Sequence, residues 1–112
     1  MKKLLLILLF LPFLSFSQKV PGEGLVVVEF NAPFSNTECK YLEKLNDCNV
    51  AKIDISKNPK IGPEHKIVVV PTLVIFQDGE EVARFQANIM MQLETTKEEV
   101  QEKINEILME NF

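Results

Sequence analysis

Leu25-Val26-Val27-Val28-Glu29-Phe30 is apolar at every position but one, the mark of a strand covered on both faces. Asn31-Ala32-Pro33 breaks that run, and the spacing after it predicts a helix from residue 36 or 37 to 46, with Leu42 and Leu45 turned inward beside Tyr41. Over residues 50–55 the pattern alternates, with Val50, Lys52 and Asp54 on one side and Ala51, Ile53 and Ile55 on the other, as a strand requires. Strand, helix and strand in about thirty residues make a right-handed parallel crossover. Residues 56–66 hold two prolines and a glycine, so a loop is expected there, carrying a short helix with Pro63 in its first turn. Leu73-Val74-Ile75-Phe76 is a third strand, and Gln77-Asp78-Gly79-Glu80 is a hairpin signal, because Asp-Gly supplies the positive φ values of a tight turn. Residues 81–86 return as a fourth, edge strand on which Glu81 and Arg84 meet solvent. Thr95 and Thr96 are each followed three residues later by a glutamate, a capping-box pattern, and Val100, Ile104, Ile107 and Leu108 continue as one apolar stripe. These elements describe an α/β domain with a central four-stranded mixed sheet, strand 25–30 in its middle and helices on both faces.

The N-terminus reads differently. Lys2 and Lys3 precede an apolar stretch over residues 4–16, and Ser15-Phe16-Ser17 offers small residues at the two positions a signal peptidase reads. Residues 1–17 are therefore expected to be a signal peptide cleaved before Gln18; the alternative is a buried core segment, for which nothing downstream asks. The stretch falls short of the roughly 20 residues that cross a bilayer, and no cysteine follows it closely. The expectation is an exported chain, periplasmic or secreted, with no stable membrane anchor after cleavage.

Removal of residues 1–17 from the 112 leaves 95, enough for one small domain over 18–112. Loss of Lys2 and Lys3 from the 12 basic residues leaves 10 against 16 acidic ones, a net charge of −6. A small acidic domain without a basic cluster has no electrostatic footprint for nucleic acid, and it does not favour anionic lipid. No internal repeat or low-complexity tract is present.

Val70-Pro71-Thr72 stands just ahead of the third strand. A proline at the mouth of a strand removes a ladder donor, and it fits where the X–Pro bond is cis and the preceding backbone is left to pair with something else. Three segments, in order and with matching spacing, resemble the thioredoxin superfamily of thioredoxins and protein disulfide isomerases. Val26-Val27-Val28-Glu29-Phe30-Asn31-Ala32-Pro33-Phe34 is similar to their strand leading into the active-site helix. Val50-Ala51-Lys52-Ile53-Asp54-Ile55 is similar to the strand that follows, lysine included. Val70-Pro71-Thr72 through Asp78-Gly79 is similar to their cis-proline strand and hairpin. The resemblance covers nearly all of residues 18–112. It implies a minimal thioredoxin-like fold (βαβ, then ββα) with a cis-proline at Pro71, lacking the N-terminal strand and helix that many thioredoxins carry.

The family's reactive motif is Cys-x-x-Cys at a helix N-terminus, where free N–H groups and the helix dipole lower the first thiol's pKa. Here the first position is Ser35. The second is Glu38 without a gap or, with one inserted residue, Cys39 followed by Lys40. Neither alignment leaves two cysteines, and a serine hydroxyl does not attack a disulfide, so the dithiol cycle is lost. The two cysteines, Cys39 and Cys48, are nine residues apart. On one continuous helix that is roughly 13 Å, against a limit of about 7 Å for a disulfide. A structural bond between them requires the helix to end near Leu45.

Two functions of different class follow. In one, the domain is a redox-inactive module that holds an extended peptide or partner protein at the cis-proline face. The resemblance implies that the backbone of Val70 pairs with that segment, with Pro33, Phe34 and Ser35 as rim, so the candidate binding residues are Phe34, Ser35, Val70 and Pro71. The adjacent methionines of Ala87-Asn88-Ile89-Met90-Met91-Gln92-Leu93 make an adaptable surface nearby, or else cap the core. In the other, Cys39 is a monothiol that forms mixed disulfides resolved by an external thiol; its alternative is plain packing beside Leu42. For Cys39, Glu38 alongside raises the thiol pKa, and Cys48 at the helix end has no special setting. The candidate catalytic residues are Cys39 and Glu29. The resemblance places Glu29 where the family keeps a buried acid that moves protons for the dithiol, with Lys52 facing it. A charge on a central strand is costly unless paired, so the two are expected as a structural ion pair. His65 has no histidine or cysteine near it in sequence and reads as a surface residue, so no metal and no cofactor is expected.

Overall fold

The computed structural model describes residues 20–110; the expected signal peptide, residues 1–17, lies outside them. The strands are β1 (Leu25–Asn31), β2 (Asn49–Asp54), β3 (Thr72–Gln77) and β4 (Glu80–Gln86), with helices α1 (Ile61–Glu64) and α2 (Lys97–Glu110). They form one mixed sheet in the order β2-β1-β3-β4. β1 is central, parallel to β2 with Val28 opposite Ala51, and antiparallel to β3 with Val28 opposite Val74. β3 and β4 are antiparallel, with a register irregularity between Ile75 and Phe76.

Successive residues of β1 point to opposite faces, and both faces are covered. Leu25, Val27, Leu73 and Ile75 pack with Leu42, Leu45 and the inner stripe of α2, Val100, Ile104 and Ile107. Val26, Val28, Phe30, Val74 and Phe76 pack with Ile53 and Ile61 on the other side. This double burial is why the strand is apolar at consecutive positions. Asp78 and Gly79 have positive φ at the β3–β4 turn. The Asp78 side chain then reaches the start of β1: its Oδ1 accepts from the Gly24 N–H at 2.8 Å, and its own N–H donates to the Gly24 carbonyl at 2.9 Å. The α2 start is the reciprocal cap its sequence announces. Thr96 Oγ1 accepts from the Glu99 N–H at 3.2 Å, and Glu99 Oε1 accepts from the Thr96 N–H at 2.8 Å.

Two expectations are corrected. No helix spans 36–46; the crossover contains two single 3-10 turns, Pro33–Ser35 and Leu42–Lys44. Side chains take the backbone groups that a helix would use. The Thr37 carbonyl accepts from Asn31 Nδ2 at 2.7 Å and from Ser35 Oγ at 3.0 Å, and the Cys39 N–H goes to Glu29 Oε2 at 2.8 Å. Asn36, with φ 57°, turns the chain out of the helical path, and such local competition is characteristic of Ser, Thr and Asn. His65 is half-buried rather than a surface residue: its ring sits 5.4 Å from each of Phe30 and Phe76. Among the described residues no helix is long and apolar enough to cross a membrane, and no three His, Cys, Asp or Glu side chains gather to hold a metal ion.

Candidate functional site

The site lies where the carboxyl end of β1 meets the entry to β3. At its floor is Glu29, 1% exposed. Oε2 accepts from the Cys39 N–H at 2.8 Å and from Asn31 Nδ2 at 3.2 Å, while Oε1 has no partner. Burial pushes the carboxyl above the usual carboxylate range, against the opposing pull of the Cys39 N–H and the more distant Lys52. The expected Glu29–Lys52 ion pair does not form. The two are register partners on β1 and β2, yet the Lys52 ammonium turns outward to Glu38 Oε2 at 3.6 Å. Charge solvation explains the choice, since the ammonium keeps its water there and loses it beside Glu29.

Cys39 is 6% exposed, and both cysteines are free thiols. With Pro71, Tyr41 and Leu93 it borders a hollow of about 330 Å³. The Tyr41 and Leu42 N–H groups face the sulfur and favour the thiolate, but burial outweighs them and Glu29 adds to it, so the thiol is pushed up. No helix begins at this position, so no dipole offsets the burial. The Tyr41 hydroxyl donates to the Thr95 carbonyl at 2.6 Å, and burial with the neighbouring thiol raises the phenol strongly. Burial, with Asp47 alongside, also raises Cys48.

Val70 is buried and joined to Pro71 by a cis peptide bond. Among the described residues its N–H and C=O have no hydrogen-bonding partner. Beside it lies an apolar cleft of about 190 Å³ bounded by Phe34, Ile67, Val68, Ile89 and Met91. Phe34 is 67% exposed, Val68 76%, Ile89 92% and the adjoining Met90 71%. The 87–93 segment is tightly built. Asn88 Oδ1 accepts from the Met90 and Gln92 N–H groups at 2.8 and 3.1 Å, and Thr37 Oγ1 donates to the Met91 carbonyl at 2.8 Å. The methionine segment thus forms one wall of the cleft.

The structure therefore brings Glu29 to Cys39, Cys39 to Pro71, and Phe34 to Val70. Ser35 does not join the rim: it is buried, and its hydroxyl donates to Asn31 Oδ1 at 2.7 Å. Asn31, missed in the sequence, ties Glu29, Ser35 and Thr37 together. The available signal was an asparagine at the exit of a buried strand, two residues ahead of a proline, a place that favours side-chain bonding to the local backbone.

A four-stranded sheet of this order, with a proline-led third strand beside the loop that follows the first, defines a thioredoxin-like fold. A family model described as Thioredoxin matches residues 11–106, and the chain belongs to that family. It is 40% identical over 42 residues to a thioredoxin of Mycobacterium tuberculosis, covering 38% of this chain and 36% of that one. It is 32% identical over 71 residues to a thioredoxin of Chlamydia trachomatis, covering 56% and 69%. The chain thus spans little more than a third of the length of the mycobacterial relative. A mutant thioredoxin from Halobacterium salinarum NRC-1 superposes with a TM-score of 0.58 at 26% identity, covering 75% of this chain and 74% of that one. The thioredoxin of Schistosoma mansoni superposes at 0.59, covering 76% and 78%, and at 23% identity shares the fold.

Proposed function

We propose that this thioredoxin-family chain is an exported, redox-inactive binding module that holds an extended peptide or partner protein at the Val70–Pro71 face. The observation that carries the reading is the free Val70 backbone beside an exposed apolar rim. Unpaired main-chain groups next to side-chain clefts suit strand addition, in which the backbone supplies affinity and the clefts select. The chemistry nearby supports the redox part. Ser35 stands at the first position of the motif, and Cys39 is buried with its thiol pushed up, whereas an attacking thiol needs a depressed pKa and access. The apolar stretch over residues 4–16 supports export.

The test is the pH dependence of Cys39 alkylation in a Cys48→Ser variant, paired with peptide binding by Cys39→Ser. A slow reaction with a midpoint above the roughly 8.5 of a free thiol, and unchanged binding by Cys39→Ser, are expected. A fast reaction with a depressed midpoint, together with mixed-disulfide formation, would establish monothiol exchange instead.

A further inference from the structure

We propose that the occupant of this face is an extended peptide segment combining one large apolar side chain with an acidic residue. The apolar side chain seats between Phe34 and Ile89, and Lys40 holds the acid. The inference rests on the peptide-binding reading above and names the chemistry that the face selects.

Size fixes the first element. A cavity of about 150 Å³ lined by aliphatic and aromatic groups holds one benzene, so the 190 Å³ cleft beside Val70 takes one aliphatic or aromatic side chain. Its walls are set before anything binds. Asn88 fixes the Ile89 side, and Arg84 fixes the other by donating to the His65 and Lys66 carbonyls at 2.7 and 3.0 Å, just ahead of Ile67 and Val68. A main chain paired to Val70 sends its next side chain to the opposite side, away from the apolar cleft.

Charge fixes the second. Beyond Phe34, at Pro33, the surface becomes a polar groove of about 640 Å³. Lys40 borders both this groove and the hollow at Pro71. The other charged groups there are engaged. Glu38 faces Lys52, Asp54 Oδ1 takes the Ser56 N–H and hydroxyl at 2.9 and 2.6 Å, and Glu29 is buried on the Cys39 N–H. Lys57 lends its charge to Asp54, whereas Lys40 makes no ion pair among the described residues. Lys40 is therefore a cation without an ion-pair partner among the described residues, at the border of the groove and the Pro71 hollow, although the whole chain is net −4.

Fluorescence anisotropy on the purified chain with four labelled Ser/Ala decapeptides tests this: Leu with Asp, Leu with Lys, Leu alone, and Asp alone. The Leu–Asp peptide is expected to bind tighter than Leu–Lys by about fivefold, the ratio that one rim ion pair supports. High salt should erase that difference, and Lys40→Glu should reverse the order. The exposed substitutions Phe34→Ala and Ile89→Ser should weaken every Leu peptide while leaving the fold intact. Equal, salt-insensitive binding of Leu–Asp and Leu–Lys overturns the inference and leaves the peptide-binding reading standing. No binding by any of the four, with no shift of the Val70 amide resonance, overturns both. Self-association that competes with the peptides and is lost in Ile89→Ser assigns the cleft to a second copy, which also overturns the proposal.

Discussion

At Glu29 the cost of burying a carboxyl is set against one backbone N–H and one side-chain amide, and burial wins. The folded state therefore holds that proton more tightly than the unfolded chain does. The contribution favours folding below the ordinary carboxylate pKa and is lost as pH rises from there through the raised folded value. Glu29→Gln keeps an acceptor for the Cys39 N–H and removes the titration, so the decline in urea midpoint as pH rises above the ordinary carboxylate range should flatten. Retention of the full decline would place it on another group. Glu29→Leu should instead cost about 1–3 kcal/mol by orphaning the Cys39 N–H. The acid on a buried strand was legible in the sequence, since its neighbours are all apolar. Its partner was not, because register alone pairs Glu29 with Lys52 while solvation sends the lysine to Glu38.

Among the elements, the α2 cap is the part most nearly dictated by local sequence. Thr96→Ala should cost about 1 kcal/mol in denaturant unfolding, with Thr96→Ser recovering most of it. The strands were equally readable, since alternation and turn residues are local signals. The helix expected over residues 36–46 failed because Glu29 and Asn31, remote from its pattern, claim the Cys39 N–H and the Thr37 carbonyl. Periodicity counts apolar positions and is blind to such bonds. Arg84 marks another long-range link. Arg84→Ala frees the Glu81 carboxylate and the His65 and Lys66 carbonyls. It should lower stability by about 1–2 kcal/mol and speed amide exchange over residues 65–70, where an unchanged exchange rate would argue against the clamp.

The described residues form one sheet with a core layer on each side, and the two layers share β1 and β3. That sharing should make unfolding all-or-none. Ile104→Val on one side and Ile53→Val on the other should each cost about 1 kcal/mol and, lying in separate layers, add in the double variant. Non-coincident fluorescence and circular dichroism transitions would show that the layers melt apart. This architecture was legible in the order of the apolar runs, because a strand apolar at consecutive positions has one place in a mixed sheet, the centre.

The bond between Asp78 and Gly24 carries a practical consequence. It pins the start of β1 to the hairpin end of the sheet, whereas Phe34 and Val70 sit past the strand's other end, about 20 Å away for seven extended residues. Held to a bead or a sensor surface through the segment ahead of Gly22, the domain would stand like a brush on its handle, with the apolar cleft facing the flow and no surface chemistry near it.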